Sequence, residues 1–198
     1  MPGKYSYKSV TTPEISEREI AHFNKVREIA PECMVLLKND GILPLKKENA
    51  KIAVLGGLAE DPSYMGGGSG HMNGWKIETY LEELKAVCPD IPYAPGYPVN
   101  AGFPPAEPAD PALTAAAVET AKDADILLVF AGLGYCYESE GYDRADIALP
   151  KGQQDLLDAL VKLDKKIVLV LSCGSVLDVA GWKDRVRAIV YNSLGGEA

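Results

Sequence analysis

The stretch Asp125-Ile-Leu-Leu-Val-Phe-Ala131 is apolar after its first residue and is short enough to be a strand. A continuous apolar run with no alternation belongs to a strand covered on both faces, as in parallel sheets. Lys166-Ile-Val-Leu-Val-Leu-Ser172 repeats the pattern, and Lys51–Gly56, Met34–Leu37 and Ala188–Tyr191 read as further strands. Helical signals lie between them. Ser16 and Glu19 form a capping box for a helix to about Ile29, with Ile20, Phe23 and Val26 near one face. Ile77, Leu81 and Leu84 recur at helical spacing over residues 77–87. Asp110 and Pro111 make a cap and first turn, and Pro150 opens a helix carrying Leu156, Leu157, Leu160 and Val161. Alternation of this kind predicts one α/β domain, a three-layer α/β/α sandwich with a mostly parallel sheet. The Pro- and Gly-rich residues Ile91–Pro108 read as a surface connection.

Composition narrows the function. With 198 residues, 47% of them hydrophobic, the chain can bury a core. Its formal net charge of -8 argues against a nucleic-acid partner, since phosphate contacts need clustered Lys and Arg. No apolar run reaches the roughly 20 residues of a membrane helix, and the opening segment lacks the features of a signal peptide. A cytoplasmic location is expected. Cys33, Cys88, Cys136 and Cys173 are scattered, and three of them sit beside or within apolar stretches, as structural thiols do. With His22 and His71 the only histidines, no cluster has metal-ligand spacing, so neither a metal nor another cofactor is expected.

Ligands of open α/β sheets meet the loops at the carboxyl ends of the strands. Two such loops are unusual. One contains Gly66-Gly-Gly-Ser-Gly70 and runs to Trp75; the other, after the Asp125–Ala131 strand, gathers Glu138, Glu140, Asp143 and Arg144. On composition alone the second could be a solvated acidic loop with a surface ion pair. A nucleotide site fails on detail: Gly132-Leu-Gly134 does not continue as G-x-G-x-x-G, because Tyr137 occupies the third glycine's place, and no P-loop is present. Ser172, Ser175 and Ser193 lack a nucleophile elbow.

Taken in order, the segments ECMVLLKNDGILPL (Glu32–Leu45), KIAVLGG, GGGSG, DILLVFAGL, ESEGYDR, ALP-x-x-Q-x-x-L (Ala148–Leu156), KIVLVLSCGSVLDVAGW and YNSLGGEA resemble the second domain of family 3 glycoside hydrolases. The resemblance runs from about Arg18 onward, with residues 1–17 a lead and 18–198 the (α/β)6 sandwich-type domain, truncated at its carboxyl end. It implies a parent with a TIM-barrel-like domain supplying an aspartate nucleophile, the sandwich supplying the glutamate acid/base, and retaining chemistry between them.

Carried onto this chain, the acid/base of the E-G-Y-D-R motif is Glu140, with Glu138 the alternative two residues earlier. The resemblance makes Ser69 a sugar-hydroxyl contact; Trp75 could stack on a sugar face or anchor the core. Asp143 and Arg144 are read as holding the loop in place. A general acid needs a raised pKa, which burial under the barrel domain would supply. In this chain Glu140 is expected to be more exposed and less perturbed. The expected function is the acid/base-bearing domain of a retaining exo-acting β-glycosidase, a β-glucosidase acting on terminal β-linked glucose, inactive in isolation. Its expected partners are a β-glucoside or oligosaccharide and the missing barrel. β-Xylosidase or a related activity stays open, as does a parent with the sandwich ahead of the barrel. The competing class is a non-catalytic α/β module that binds a small molecule or a protein.

Overall fold

The computed structural model describes residues 15–46, 50–72, 74, 76–99, 105 and 109–196. Its six-stranded sheet contains β1 (Val35–Asn39), β2 (Ile52–Leu55), β3 (Tyr93–Ala94), β4 (Ile126–Gly132), β5 (Lys166–Ser172) and β6 (Ala188–Tyr191), ordered β1-β6-β5-β4-β2-β3. Only β1 runs antiparallel, against β6; the other pairings are parallel. Helices α1 (Glu17–Ile29), α2 (Tyr80–Val87), α3 (Pro111–Lys122) and α4 (Lys151–Leu160) complete the expected three-layer α/β/α sandwich.

Strand order fixes where a site can form. The chain leaves β2 outward to β3 through α2, then returns through α3 to β4 and continues the other way to β5 and β6. Right-handed crossovers therefore place α2 on one face and α3 and α4 on the other, and α3 and α4 do pack together. The loops after β2 and β4 head for opposite faces and leave a crevice at the carboxyl end of the sheet. All of β4 is buried, as its unbroken apolar sequence requires.

Local chemistry starts the helices where the sequence indicates. Ser16 accepts the Glu19 N–H and Glu19 reaches back to the Ser16 N–H. Thr79 and Glu82 form a second capping box that starts α2 at Tyr80, three residues later than the apolar spacing predicts. Asp110 accepts two N–H groups at the start of α3.

Three readings change. The Met34–Leu37 segment forms β1 on the edge of the sheet, where Leu36 and Leu37 are more than half exposed, so it is not a buried strand. An apolar run is needed for burial but does not guarantee it. On α1, Phe23 is buried while Ile20 and Val26 stay exposed. Where it is described, the Ile91–Pro108 segment is more than a surface connection. Tyr93–Ala94 pair with β2, and Tyr97 is buried, accepting the Leu58 N–H and donating to the Phe130 carbonyl. Two residues between prolines are enough for a short edge strand but too few to show a period. Cys136 and Cys173 are buried and Cys33 and Cys88 exposed; residues 1–14 of the expected lead lie outside the described residues.

Candidate active site

The site begins at Gly132, the last residue of β4. Its φ is +147° and a Cβ there would lie 1.9 Å from the Ser172 carbonyl oxygen, so any side chain would push β4 from β5. Gln153, fully buried in the first turn of α4, accepts the Gly132 N–H at 2.8 Å and donates to its carbonyl at 2.9 Å. Both ends of the loop from Leu133 to Pro150 are thereby fixed at one point.

From that root the loop meets the glycine segment after β2. Gly67 and Ser139 form a parallel bridge: the Gly67 N–H donates to the Glu138 carbonyl at 2.9 Å, and the Glu140 N–H to the Gly67 carbonyl at 3.4 Å. Gly68 has a φ of +85°, and a Cβ on it would lie 2.6 Å from the Glu140 Cβ. Glycine is what allows the two loops to lie this close.

The two glutamates diverge from this bridge. Glu140 is exposed, and one carboxylate oxygen accepts both the Ser69 N–H, at 3.1 Å, and the Ser69 hydroxyl. These bonds favour the anion and hold the Glu140 carboxyl below the usual carboxylate range. Exposure matches the sequence-based expectation; the downward shift does not, and Ser69 is its cause. Glu138 turns the other way, to the loop after β5, accepting the Gly174 N–H at 2.8 Å and the Ser175 hydroxyl at 2.6 Å. Arg144 donates to the same Ser175 Oγ at 3.1 Å and to the Val176 carbonyl at 2.8 Å. Burial, with the negative charge of Glu138 adding, pushes the Cys173 thiol beneath them up to about 11, which suits a packing group and not a nucleophile.

Of the residues singled out from sequence, Ser69 and Glu140 are joined directly by hydrogen bonds, and Glu138 and Arg144 through Ser175. Asp143 is exposed on the same loop, beside a hollow of about 490 Å³ that Glu138, Arg144 and Ser175 also line. Trp75 lies outside the described residues. Gly174, Ser175 and Gln153 were missed as site residues. Gln153 had a signal, since it is the Gln of ALP-x-x-Q-x-x-L; the Gly174 amide had none. An apolar hollow of the same volume, about 490 Å³, lined by Leu45, Ile52, Leu84, Ile91 and Leu128, lies toward the amino ends of β2 and β4, away from these carboxylates. Among the described residues no cluster of His, Cys, Asp and Glu could hold a metal ion, and no helix is long and apolar enough to cross a membrane.

A mostly parallel sheet with carboxylates on the loops at its switch point defines an open α/β domain, and sequence comparison then specifies which. Residues 34–198 match the sequence profile of the glycosyl hydrolase family 3 C-terminal domain. The chain is 40% identical over 187 residues to an exo-α-(1→6)-L-arabinopyranosidase of Bifidobacterium longum, covering 90% of this chain and 24% of that protein. It is 38% identical over 183 residues to thermostable β-glucosidase B of Acetivibrio thermocellus, covering 90% of this chain and 23% of that protein. Among solved structures it is similar to the family 3 β-glucosidase of Bifidobacterium adolescentis, with a TM-score of 0.81 and 42% identity over 96% of this chain and 27% of that one. The chain belongs to the C-terminal domain family of glycosyl hydrolase family 3. It spans about a quarter of the length of the curated relatives it matches.

Proposed function

We propose that this chain is the acid/base-bearing domain of a retaining, exo-acting β-glycosidase that releases terminal β-linked glucose, and that Glu140 is the acid/base. One observation carries the reading: Glu140 is an exposed carboxylate at the switch point, with one oxygen held by Ser69 and the other free of Ser69. In a retaining mechanism the nucleophile of a second domain attacks the anomeric carbon while Glu140 protonates the departing oxygen. Glu140 then takes a proton from the water that hydrolyses the glycosyl-enzyme. The two carboxyl groups must approach to about 5–5.5 Å, so on this reading the isolated chain is inert.

Glu140 must enter the first step protonated, to give that proton to the leaving oxygen, and enter the second as the anion. Ser69 favours the form in which the second step begins, because its two donors stabilise the anion. The first step needs an opposing influence, which desolvation by a covering nucleophile domain supplies. The family relatives differ in sugar, including β-glucosidases and exo-1,4-β-xylosidases. Glucose is proposed on the likeness to β-glucosidases at 38% and 42% identity, and the choice among sugars is placed on the nucleophile domain.

The test is Glu140→Ala in the full-length enzyme, with a dinitrophenyl β-glucoside and added azide. The good leaving group needs no acid, so loss of the base limits the second step, and azide bypasses it. Acceleration with formation of β-glucosyl azide is expected. If Glu140→Ala is as active as the parent, with or without azide, the assignment fails.

A further inference from the structure

The notable feature beyond this reading is how much Glu138 holds together. Its backbone carbonyl accepts Gly67 from the loop after β2, and its carboxylate accepts Gly174 and Ser175 from the loop after β5. One residue of the β4 loop thus ties three loops, two positions before Glu140. Ser175 is gripped from both sides, donating to Glu138 at 2.6 Å and accepting from Arg144 at 3.1 Å. Carboxylate, hydroxyl and guanidinium form a chain that closes the β4 loop onto β5 across the Glu138–Arg144 span. Charge-assisted bonds of this kind are the stronger and more directional ones. Arg144 Nη1 is buried without a hydrogen-bond partner among the described residues, so its hold on the β5 loop rests on Nη2.

We infer that Glu138 is a positioning residue: its carboxylate, clamped on Gly174 and Ser175, sets where Glu140 sits, and it does not itself transfer protons in the reaction. The inference rests on Glu140 being the acid/base. Both carboxylate oxygens of Glu138 already accept donors from a neighbouring loop. Releasing the clamp lets the Glu140 segment shift against Ser69, and a misplacement of about 1 Å can cost about 100-fold in rate.

A positioning loss is separable from a loss of folded protein. Acid assistance matters for a poor leaving group and not for a good one, and kcat/KM reports the first irreversible step. In the full-length enzyme, Glu138→Ala is expected to lower kcat/KM about 100-fold on an alkyl β-glucoside and by no more than about 3-fold on the dinitrophenyl β-glucoside. A displaced Glu140 is also a poorer base, so azide is expected to raise kcat on the dinitrophenyl β-glucoside less than it does for Glu140→Ala. Glu138→Gln, which keeps an acceptor oxygen, should recover much of the loss. Ser175→Ala, which spares the Gly174 bond, should show the same leaving-group dependence at smaller size; these two variants carry the test if Glu138→Ala does not fold. Equal losses on both substrates, or none, overturn the inference. So does azide acceleration of Glu138→Ala that exceeds that of Glu140→Ala, which would make Glu138 the acid/base. Failure of the Glu140 reading shows elsewhere, as absence of azide acceleration in Glu140→Ala.

Discussion

Glu138 and Glu140 lie two residues apart, yet their surroundings belong to different regions of the molecule. Glu138 faces the loop after β5, where a backbone amide, a serine and an arginine leave it little freedom. Glu140 faces the glycine segment after β2, where its partner is one exposed serine. Each carboxylate accepts two donors, so counting bonds does not separate them. What separates them is how each is held. The first is bound into a three-loop clasp, and the second stands at the open end of it, where another domain can cover it and shift its pKa.

Substitutions on the two sides should therefore behave differently. Of the two glycines that flank the glutamates, Gly68 is expected to show the larger effect. Its positive φ costs alanine roughly 1–2 kcal/mol, and the added Cβ would meet the Cβ of Glu140 at 2.6 Å, an atom fixed to the backbone. Gly68→Ala should lower kcat/KM on an alkyl β-glucoside by at least about 10-fold in the full-length enzyme. On the Glu138 side, Gly174→Ala would meet the Leu194 Cδ1 at 3.3 Å, a flexible tip, and the Glu138 Oε1 at 3.5 Å. A change within about 0.5 kcal/mol is expected there, read by thermal unfolding and the same assay. Equal losses at both glycines would erase the distinction.

A smaller effect concerns charge. Ser69 lowers the Glu140 pKa, so the stabilisation from this pair is present above the usual carboxylate range and is lost as pH falls through the lowered value. Ser69→Ala should raise the Glu140 midpoint toward the ordinary carboxylate value, as read by carbon-13 NMR titration of the side-chain carboxyl groups. An unmoved midpoint would mean that Ser69 does not hold Glu140 in solution.

Much of the fold was legible in the sequence because β4 and β5 are covered on both faces and say so residue by residue. Their bounds come within a residue of the apolar runs. The Met34–Leu37 run is as apolar as they are, but the strand it forms ends in Lys38 and Asn39 and sits on an exposed edge, which the run itself does not reveal. β3 is too short to carry a period, and its partner is set by topology. At the site, the acidic loop stood out by composition, but ranking Glu140 above Glu138 came from resemblance to a family motif. What the sequence could not show is the partner of Glu138, because a backbone amide at Gly174 leaves no side-chain signature. Ser175 was noticed only as a serine without a nucleophile elbow. Its role depends on β5 lying beside β4, a pairing of residues 36 and 37 positions apart.

The most direct test of the account is β-glucosyl azide formation by Glu140→Ala and Glu138→Ala of the full-length enzyme, side by side on the dinitrophenyl β-glucoside. Azide product and acceleration with Glu140→Ala, and less of both with Glu138→Ala, is the predicted result. The reverse pattern would contradict the account, exchanging the roles of the two glutamates.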